Sequence, residues 1–285
     1  MNYIALDLEW NTIYNRKLKR FFCEIIEIGA VKLNKNLKET ARLDLIVKPE
    51  LTKRLSNTVK RLTRITNDDI SKGISFKEAA KKLRKFFSYG SVLMTWSNTD
   101  MLVLHENFSF FENDEKLLFI KKYMDLQKYA SSFIELPKGR QIALSDAAEV
   151  LCANMDLKAY KLHRALDDCR LSCAIFREIF DKKAVPKYIT DMKKTQYFDR
   201  IKFKSYFITK INHPNIDKSH LEMKCTCNGK NLIRTRKAKL AGKAFVVNYN
   251  CNECGKRYYL QVRFRQTFDK VLVSRVIETT ESKRR

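Results

Sequence analysis

Tyr3-Ile4-Ala5-Leu6-Asp7-Leu8-Glu9-Trp10 stands almost at the start of the sequence, and its reading decides the fold. An apolar run of this kind that closes on two acids reads as a buried strand, Tyr3–Glu9, with carboxylates at its end. Residues two apart on a strand share a face, so Asp7 and Glu9 project together while Ile4, Leu6 and Leu8 take the other side. Two adjacent negative charges on an apolar strand repel each other and are costly to dehydrate. A divalent cation removes that cost, and hard carboxylate oxygens suit Mg²⁺ or Mn²⁺. Without one, the pair would be two solvated acids at a strand end.

Outward from this strand, Glu24–Leu33 and Arg42–Val47 read as two more strands, joined by short polar connections as an antiparallel meander. A helix is predicted over Ser75–Phe87. Ser75 and Glu78 form a capping-box pattern, and Phe76, Ala79, Ala80, Leu83, Phe86 and Phe87 fall on one face. Ser91–Thr95 reads as a buried strand and Asp100–Phe111 as a helix. Lys122–Leu126 reads as a short strand, and Leu144–Ala153 and Arg164–Phe180 as helices. Strands followed by a strand–helix alternation predict an α/β fold, a mixed five-stranded sheet flanked by helices.

Two further motifs complete a constellation. Trp96-Ser97-Asn98-Thr99-Asp100 follows a strand and opens a helix. Standing alone, Asp100 reads as a helix cap. His163-Arg164-Ala165-Leu166-Asp167-Asp168 begins a long helix. Standing alone, His163 reads as a surface histidine. Taken together and in this order, the three pieces resemble the DEDDh 3′→5′ exonuclease superfamily, whose fold is RNase H-like. The D-x-E of that family is matched by Asp7 and Glu9, its second-motif acid by Asp100, and its His-x₄-Asp by His163 and Asp168. Glu24-Ile25-Ile26-Glu27-Ile28-Gly29-Ala30-Val31 resembles its second strand, and Leu62-Thr63-Arg64-Ile65-Thr66 its L-T-G-I-T segment. Asp7-Leu8-Glu9-Trp10 and the His163–Asp168 string are most similar to the Eri-like branch, which trims RNA 3′ ends. The resemblance covers residues 1–180. Two departures are Ser97, where relatives often have Gly, and Arg64, where L-T-G-I-T has Gly; Arg64 would alter substrate choice or contact a phosphate.

The resemblance implies a role for each residue. Asp7, Glu9, Asp100 and Asp168 would hold two Mg²⁺ or Mn²⁺ ions, and His163 would be the general base, an imidazole being suited to proton exchange near neutral pH. Leu8, Trp10, Leu62, Thr63 and Arg64 would contact substrate. The products would be nucleoside 5′-monophosphates. The expected function is hydrolysis of single-stranded nucleic acid, RNA favoured, from its 3′ end. The alternatives are a proofreading-type DNA exonuclease and a catalytically inactive nucleic-acid-binding protein on the same fold.

Charge agrees with a polyanionic partner. The 285 residues hold 57 Lys and Arg against 32 Asp and Glu, a formal net charge of +25. Such a field attracts nucleic acid. Residues 181–285 hold 26 basic and 9 acidic side chains, +17 of that excess, and four of the eight cysteines. They read as a second module: residues 1–182 as the exonuclease domain, 183–219 as a basic aromatic linker, and 220–285 as a zinc-ribbon-like nucleic-acid-binding domain. In it, Cys225-Thr226-Cys227 and Cys251-Asn252-Glu253-Cys254-Gly255 offer four thiolates to one structural Zn²⁺. The spacing C-x-C is unusual for such a knuckle, and His220 is a substitute ligand. Two reduced pairs, or a redox pair at Cys251 and Cys254, remain open readings. Cys23, Cys152, Cys169 and Cys173 sit among apolar residues as core thiols. Between Lys187 and Lys210, Tyr188, Tyr197, Phe198, Phe203, Tyr206 and Phe207 alternate with lysines, which suits either base stacking or packing. Neither a signal peptide nor an apolar run near ~18 residues is visible, so a soluble, cytoplasmic protein is expected.

Overall fold

β1 (Tyr3–Asn15) runs well past Glu9, held by antiparallel pairing with β2 (Arg20–Leu33) along its whole length. In the computed structural model the described residues are 1–280, except Lys138, Gly139, Asn154, Lys194 and Thr195. The chain divides into two compact units, Met1–Phe198 and Asp199–Arg285.

In the first unit, β2 pairs antiparallel with β1 and with β3 (Glu39–Lys48). Helices α1 (Asn57–Thr63) and α2 (Asn67–Ser71) and the short strand β4 (Ile74–Ser75) lead to α3 (Phe76–Phe86) and β5 (Val92–Thr95). There follow α4 (Thr99–Glu112), β6 (Lys122–Asp125), α5 (Leu126–Ala130), α6 (Leu144–Leu151), α7 (Ala165–Glu178) and β7 (Ile189–Asp191). The strand order is β4-β3-β2-β1-β5-β6-β7, with β5 parallel to β1 and β6 parallel to β5. The five expected strands form its centre. The two additions, β4 and β7, are edge strands of two and three residues, too short to leave a periodic signal.

The predicted caps are met unevenly. Ser75 accepts a hydrogen bond from the backbone N–H of Glu78, but the reciprocal bond of a full capping box forms at Thr66 and Asp69 instead. Among the described residues no helix is long and apolar enough to cross a membrane.

Two polar side chains fasten loops and helices to the central hairpin. The register of β1 and β2 slips between Glu9 and Trp10, leaving Ile26 as an extra residue on β2. At this bulge Asn107 of α4 accepts from the backbone N–H of Ile25 and donates to the carbonyl of Cys23. Glu24 is buried, and its carboxylate accepts from the backbone N–H groups of Glu50, Leu51 and Thr52 at 2.6–2.8 Å. Buried donors of this kind must be paired, and a charged acceptor makes each bond stronger.

The residues expected as a linker do not form one. Positions 183–198 belong to the first unit: Tyr188 lies against Tyr129, Tyr197 against Tyr123, and Phe198 against His105, with ring centroids 4.1–5.1 Å apart. Packing is therefore the role of these three aromatics. The unit boundary falls within α8 (Tyr197–Lys202), and in the second unit Phe203 packs on Phe268.

In the second unit, β8 (Tyr206–Phe207) and β9 (Ile233–Arg234) flank a sheet of β10 (Lys239–Ala241), β11 (Ala244–Asn250), β12 (Arg257–Gln266) and β13 (Val271–Thr280). Along β12 burial alternates: Tyr258, Leu260, Val262 and Phe264 are buried, while Tyr259, Gln261, Arg263 and Arg265 point away from that core.

Replacing Glu24 by Ala leaves three N–H groups of the 50–52 loop without their acceptor. The variant is expected to lose roughly 2–4 kcal/mol of stability in urea unfolding. Glu149→Ala, at an exposed position, should change it by less than about 0.5 kcal/mol.

Candidate active site and metal centres

Asp7 and Glu9 stand on β1, Asp100 in the first turn of α4, and Asp168 in the first turn of α7. The fold brings all four together. Asp100 reaches β1 directly, its Oδ1 accepting from the backbone N–H of Leu8 at 3.2 Å. Asp168 Oδ2 accepts from the backbone N–H of His163 at 3.1 Å. One carboxylate oxygen from each of Glu9 and Asp168 and one ring nitrogen of His163 lie within 4.8 Å of one another. His163 is exposed, two residues ahead of α7, with its backbone in the left-handed region at φ 64°. That conformation is uncommon for a residue with a side chain and is held here by the Asp168 bond.

The electrostatics describe a site built for positive charge. Burial, followed by repulsion from Asp168, Glu27 and Asp100, pushes the Glu9 carboxyl up to about 8. Burial raises Asp100 to about 7 against the Leu8 hydrogen bond, and raises Asp168 to about 7 against the bond from His163. Asp7 is raised well above the carboxylate range, by burial first and then by Asp100, Asp168, Glu9 and Glu27. Asp168 Oδ1 is buried and has no hydrogen-bond partner among the described residues. Clustered hard oxygens with one lone acceptor fit a divalent cation of the Mg²⁺ or Mn²⁺ type.

Three positioning residues carried no assigned role in the sequence. Glu27 on β2 is buried opposite Glu9, and its Oε1 accepts from Arg164 Nε at 2.9 Å and from a terminal guanidinium nitrogen at 2.6 Å. Its Oε2 accepts from the backbone N–H of Ala165 at 3.0 Å, at the start of α7. Gly29, paired with Asp7, has the backbone carbonyl of Ala165 where a side chain would begin: an added Cβ would lie 2.2 Å from Ala165 C. An acid and a glycine within the apolar run Ile25–Val31 are the sequence trace of both contacts.

The expected substrate-contacting residues divide. Trp10 is half-buried and Leu62 is 44% exposed. Leu8 is different: its side chain lies in the core and its N–H is taken by Asp100, so it offers no surface. Thr63 is also buried, its hydroxyl donating to Val59 O and accepting from Ile65 N–H. Arg64 caps α1 at φ 60°, the left-handed geometry that a glycine at the same place would favour. Substitution by Arg therefore keeps the turn and adds a cation.

In the second unit the four sulfurs of Cys225, Cys227, Cys251 and Cys254 lie within 4.8 Å of one another. Cys225 Sγ is 3.2 Å from Cys227 Sγ and 3.6 Å from Cys254 Sγ, and Cys227 Sγ is 3.7 Å from Cys251 Sγ. Tetrahedral bonds of about 2.3 Å set ligand sulfurs about 3.8 Å apart, so the cluster fits Zn²⁺. Both loops close alike. Gly229 N–H donates to Cys225 O and Gly255 N–H to Cys251 O, each glycine at a positive φ. Asn228 of the first loop stands where the second has Cys254, which is how C-x-C still supplies two ligands. Hydrogen bonds from the Tyr258 hydroxyl and then the N–H of Cys227 draw the Cys225 thiol down to about 6, while its contact with Cys225 pushes the Cys227 thiol up. His220 is not in the cluster; it faces Phe264. Cys152, Cys169 and Cys173 are buried and Cys23 is half-buried.

Comparison with known proteins agrees with this arrangement. The profile of the exonuclease family RNase_T matches residues 5–176, from β1 into α7. The chain belongs to this exonuclease family. A protein described as a probable 3′-5′ exonuclease, KapD of Bacillus subtilis (strain 168), is 33% identical over 94 residues, 32% of this chain and 45% of that protein. The chain thus matches less than half the length of that relative. Among solved structures, a 3′-exonuclease described with 3′-end specific recognition of a histone mRNA stem-loop has a TM-score of 0.53 at 23% identity. It is matched over 61% of this chain and 79% of its own. The nuclease domain of 3′hExo, a DEDDh family member bound to rAMP, has a TM-score of 0.52 at 24% identity, over 61% of this chain and 88% of its own. At these identities the likeness is one of fold.

Gly29→Ala forces α7 off the sheet and is expected to cost roughly 1–3 kcal/mol in urea unfolding and to weaken Mn²⁺ binding. Unaltered stability and Mn²⁺ titration would show that α7 does not need the contact. Cys251→Ser is expected to release zinc, read by metal analysis of the purified protein, whereas Cys23→Ser should retain it.

Proposed function

We propose that the protein is a metal-dependent 3′→5′ exonuclease that hydrolyses single-stranded nucleic acid, RNA in preference, to nucleoside 5′-monophosphates. The observation that carries this reading is the meeting of four carboxylates, one with a buried oxygen that nothing pairs, beside an accessible imidazole. Two divalent ions held by Asp7, Glu9, Asp100 and Asp168 would offset the charge of the phosphodiester and stabilise the attacking and leaving oxygens.

The chain's own groups have the remaining tasks. His163 takes the proton from the attacking water at a ring nitrogen, and its exposure gives that proton a path to solvent. Asp168 holds the His163 backbone through one oxygen, and its other oxygen is buried with no hydrogen-bond partner among the described residues. Asp100 is aimed by the Leu8 N–H. Glu27 and Arg164 fix the start of α7, and so the spacing of His163 and Asp168 from Glu9. Arg64, exposed at the end of α1, is suited to a substrate phosphate. The second unit, with a structural Zn²⁺ on its four cysteines, would add nucleic-acid affinity through the basic face of β12. The preference for RNA is supported by the Eri-like sequence motifs. The convergence of all five motif residues favours this reading over an inactive binding protein.

A 5′-labelled single strand incubated with Mg²⁺ should give a ladder of single-nucleotide steps that a blocked 3′ end abolishes, faster on RNA than on DNA. His163→Ala should lower turnover roughly 10²–10⁴-fold with binding largely retained. Wild-type turnover in that variant would remove the imidazole from the mechanism.

A further inference from the structure

The two strands that carry the site continue past it as a two-stranded arm with one face packed and one face open. From Glu9 to Asn15, β1 advances about 20 Å at ~3.3 Å per residue, paired throughout with β2 down to Arg20. One face of this ribbon is anchored: Phe22, opposite Ile13, packs on Phe110 and Phe111 of α4 with centroids 5.2 and 6.1 Å apart. Arg20 is tied to Glu106 at 2.8 Å. The turn is fixed as well, since Asn15 Oδ1 accepts from the N–H groups of Lys17 and Leu18.

The other face is open. Tyr14 and Phe21 form a cross-strand pair with centroids 5.7 Å apart, yet they are 57% and 69% exposed. Beside them Arg16, Lys17 and Lys19 are exposed and have no ion-pair partner among the described residues. A core has no use for two exposed aromatics, and a solvated hairpin tip has no need of them. Aromatic faces bordered by uncompensated cations suit bases and phosphates of a single strand. An acidic peptide would satisfy the cations but leave the ring pair without a stacking partner. The arm also grows from the very strand that bears Asp7 and Glu9.

We infer that this arm grips the single-stranded substrate upstream of its 3′ end. Tyr14 and Phe21 stack on bases, and Arg16, Lys17 and Lys19 meet phosphates. A stacked strand spans the 20 Å in about six nucleotides, so short oligonucleotides would not reach it. The inference rests on the exonuclease reading for which end lies in the site.

The test uses the full chain and a fluorescent single strand of about 12 nucleotides, within the usual range of such sites. Two variants are compared, Arg16→Gln/Lys17→Gln/Lys19→Gln and Tyr14→Ser/Phe21→Ser. In EDTA, the charge variant should raise Kd and flatten the slope of log Kd against log salt by about 2, three contacts at ~0.7 each. The aromatic variant should raise Kd roughly 10-fold or more with the slope kept. If the triple variant fails to fold, the three single substitutions should each flatten the slope by about 0.7. In Mn²⁺, KM for the long strand should rise at constant kcat, while dinucleotide cleavage stays as in the wild type. Unchanged Kd and slope in both variants, or equal losses on the dinucleotide, would overturn the arm's role. Failure of the exonuclease reading looks different: the wild type would leave both substrates intact, and the binding curves would still decide the arm.

Discussion

Where Gly29 has only hydrogen, the backbone of Ala165 takes the vacant space, and the position of α7 depends on that approach. The same few ångströms hold Glu27, which accepts from the Arg164 guanidinium and from the first N–H of the helix. A buried carboxylate left alone would be severely penalised; paired with Arg164 and a helix N-terminus it becomes a fastener. Its sign matters too. Glu27 adds to the negative field on Asp7, Glu9 and Asp168, so the contact that assembles the site also deepens its demand for cations.

Much of this was legible from residue order. β3, α3, β5, α4 and α7 lie within a few residues of their predicted bounds, whereas β1 runs on from Glu9 to Asn15 and β2 begins at Arg20 rather than Glu24. The five motif residues converge because the middle of β1, which carries Asp7 and Glu9, meets the starts of α4 and α7. Glu27 and Gly29 were visible as letters but not as contacts, since a partner 137 residues away leaves no local trace. Leu8 illustrates the opposite failure. A resemblance assigns it to substrate, while strand alternation, read strictly, already sends its side chain to the core. The aromatics of 183–198, for which packing was one of the two readings, lie within the first unit, so the unit boundary falls later than the 182/183 bound read from composition.

In the second unit the odd C-x-C spacing is resolved by backbone rather than by side chains. Two loops of equal shape, closed by Gly229 and Gly255, present sulfurs at different positions along the turn and still form one cluster. The Tyr258 hydroxyl lies 3.1 Å from the sulfur of Cys225, the first cysteine of the first loop.

Ile26, the extra residue at the slip between β1 and β2, does not join the main core. It is buried with Leu55, Ile65 and Ile70 beneath α1 and α2, a cluster of four apart from the large one. Small satellite clusters open at lower free energy than the body of a domain. The segment bearing Arg64 is thus expected to loosen more readily than the sheet beside it. Its amide protons would exchange with solvent ahead of those in β1 and β2, giving that flank of the active site a fluctuation independent of the acids it borders.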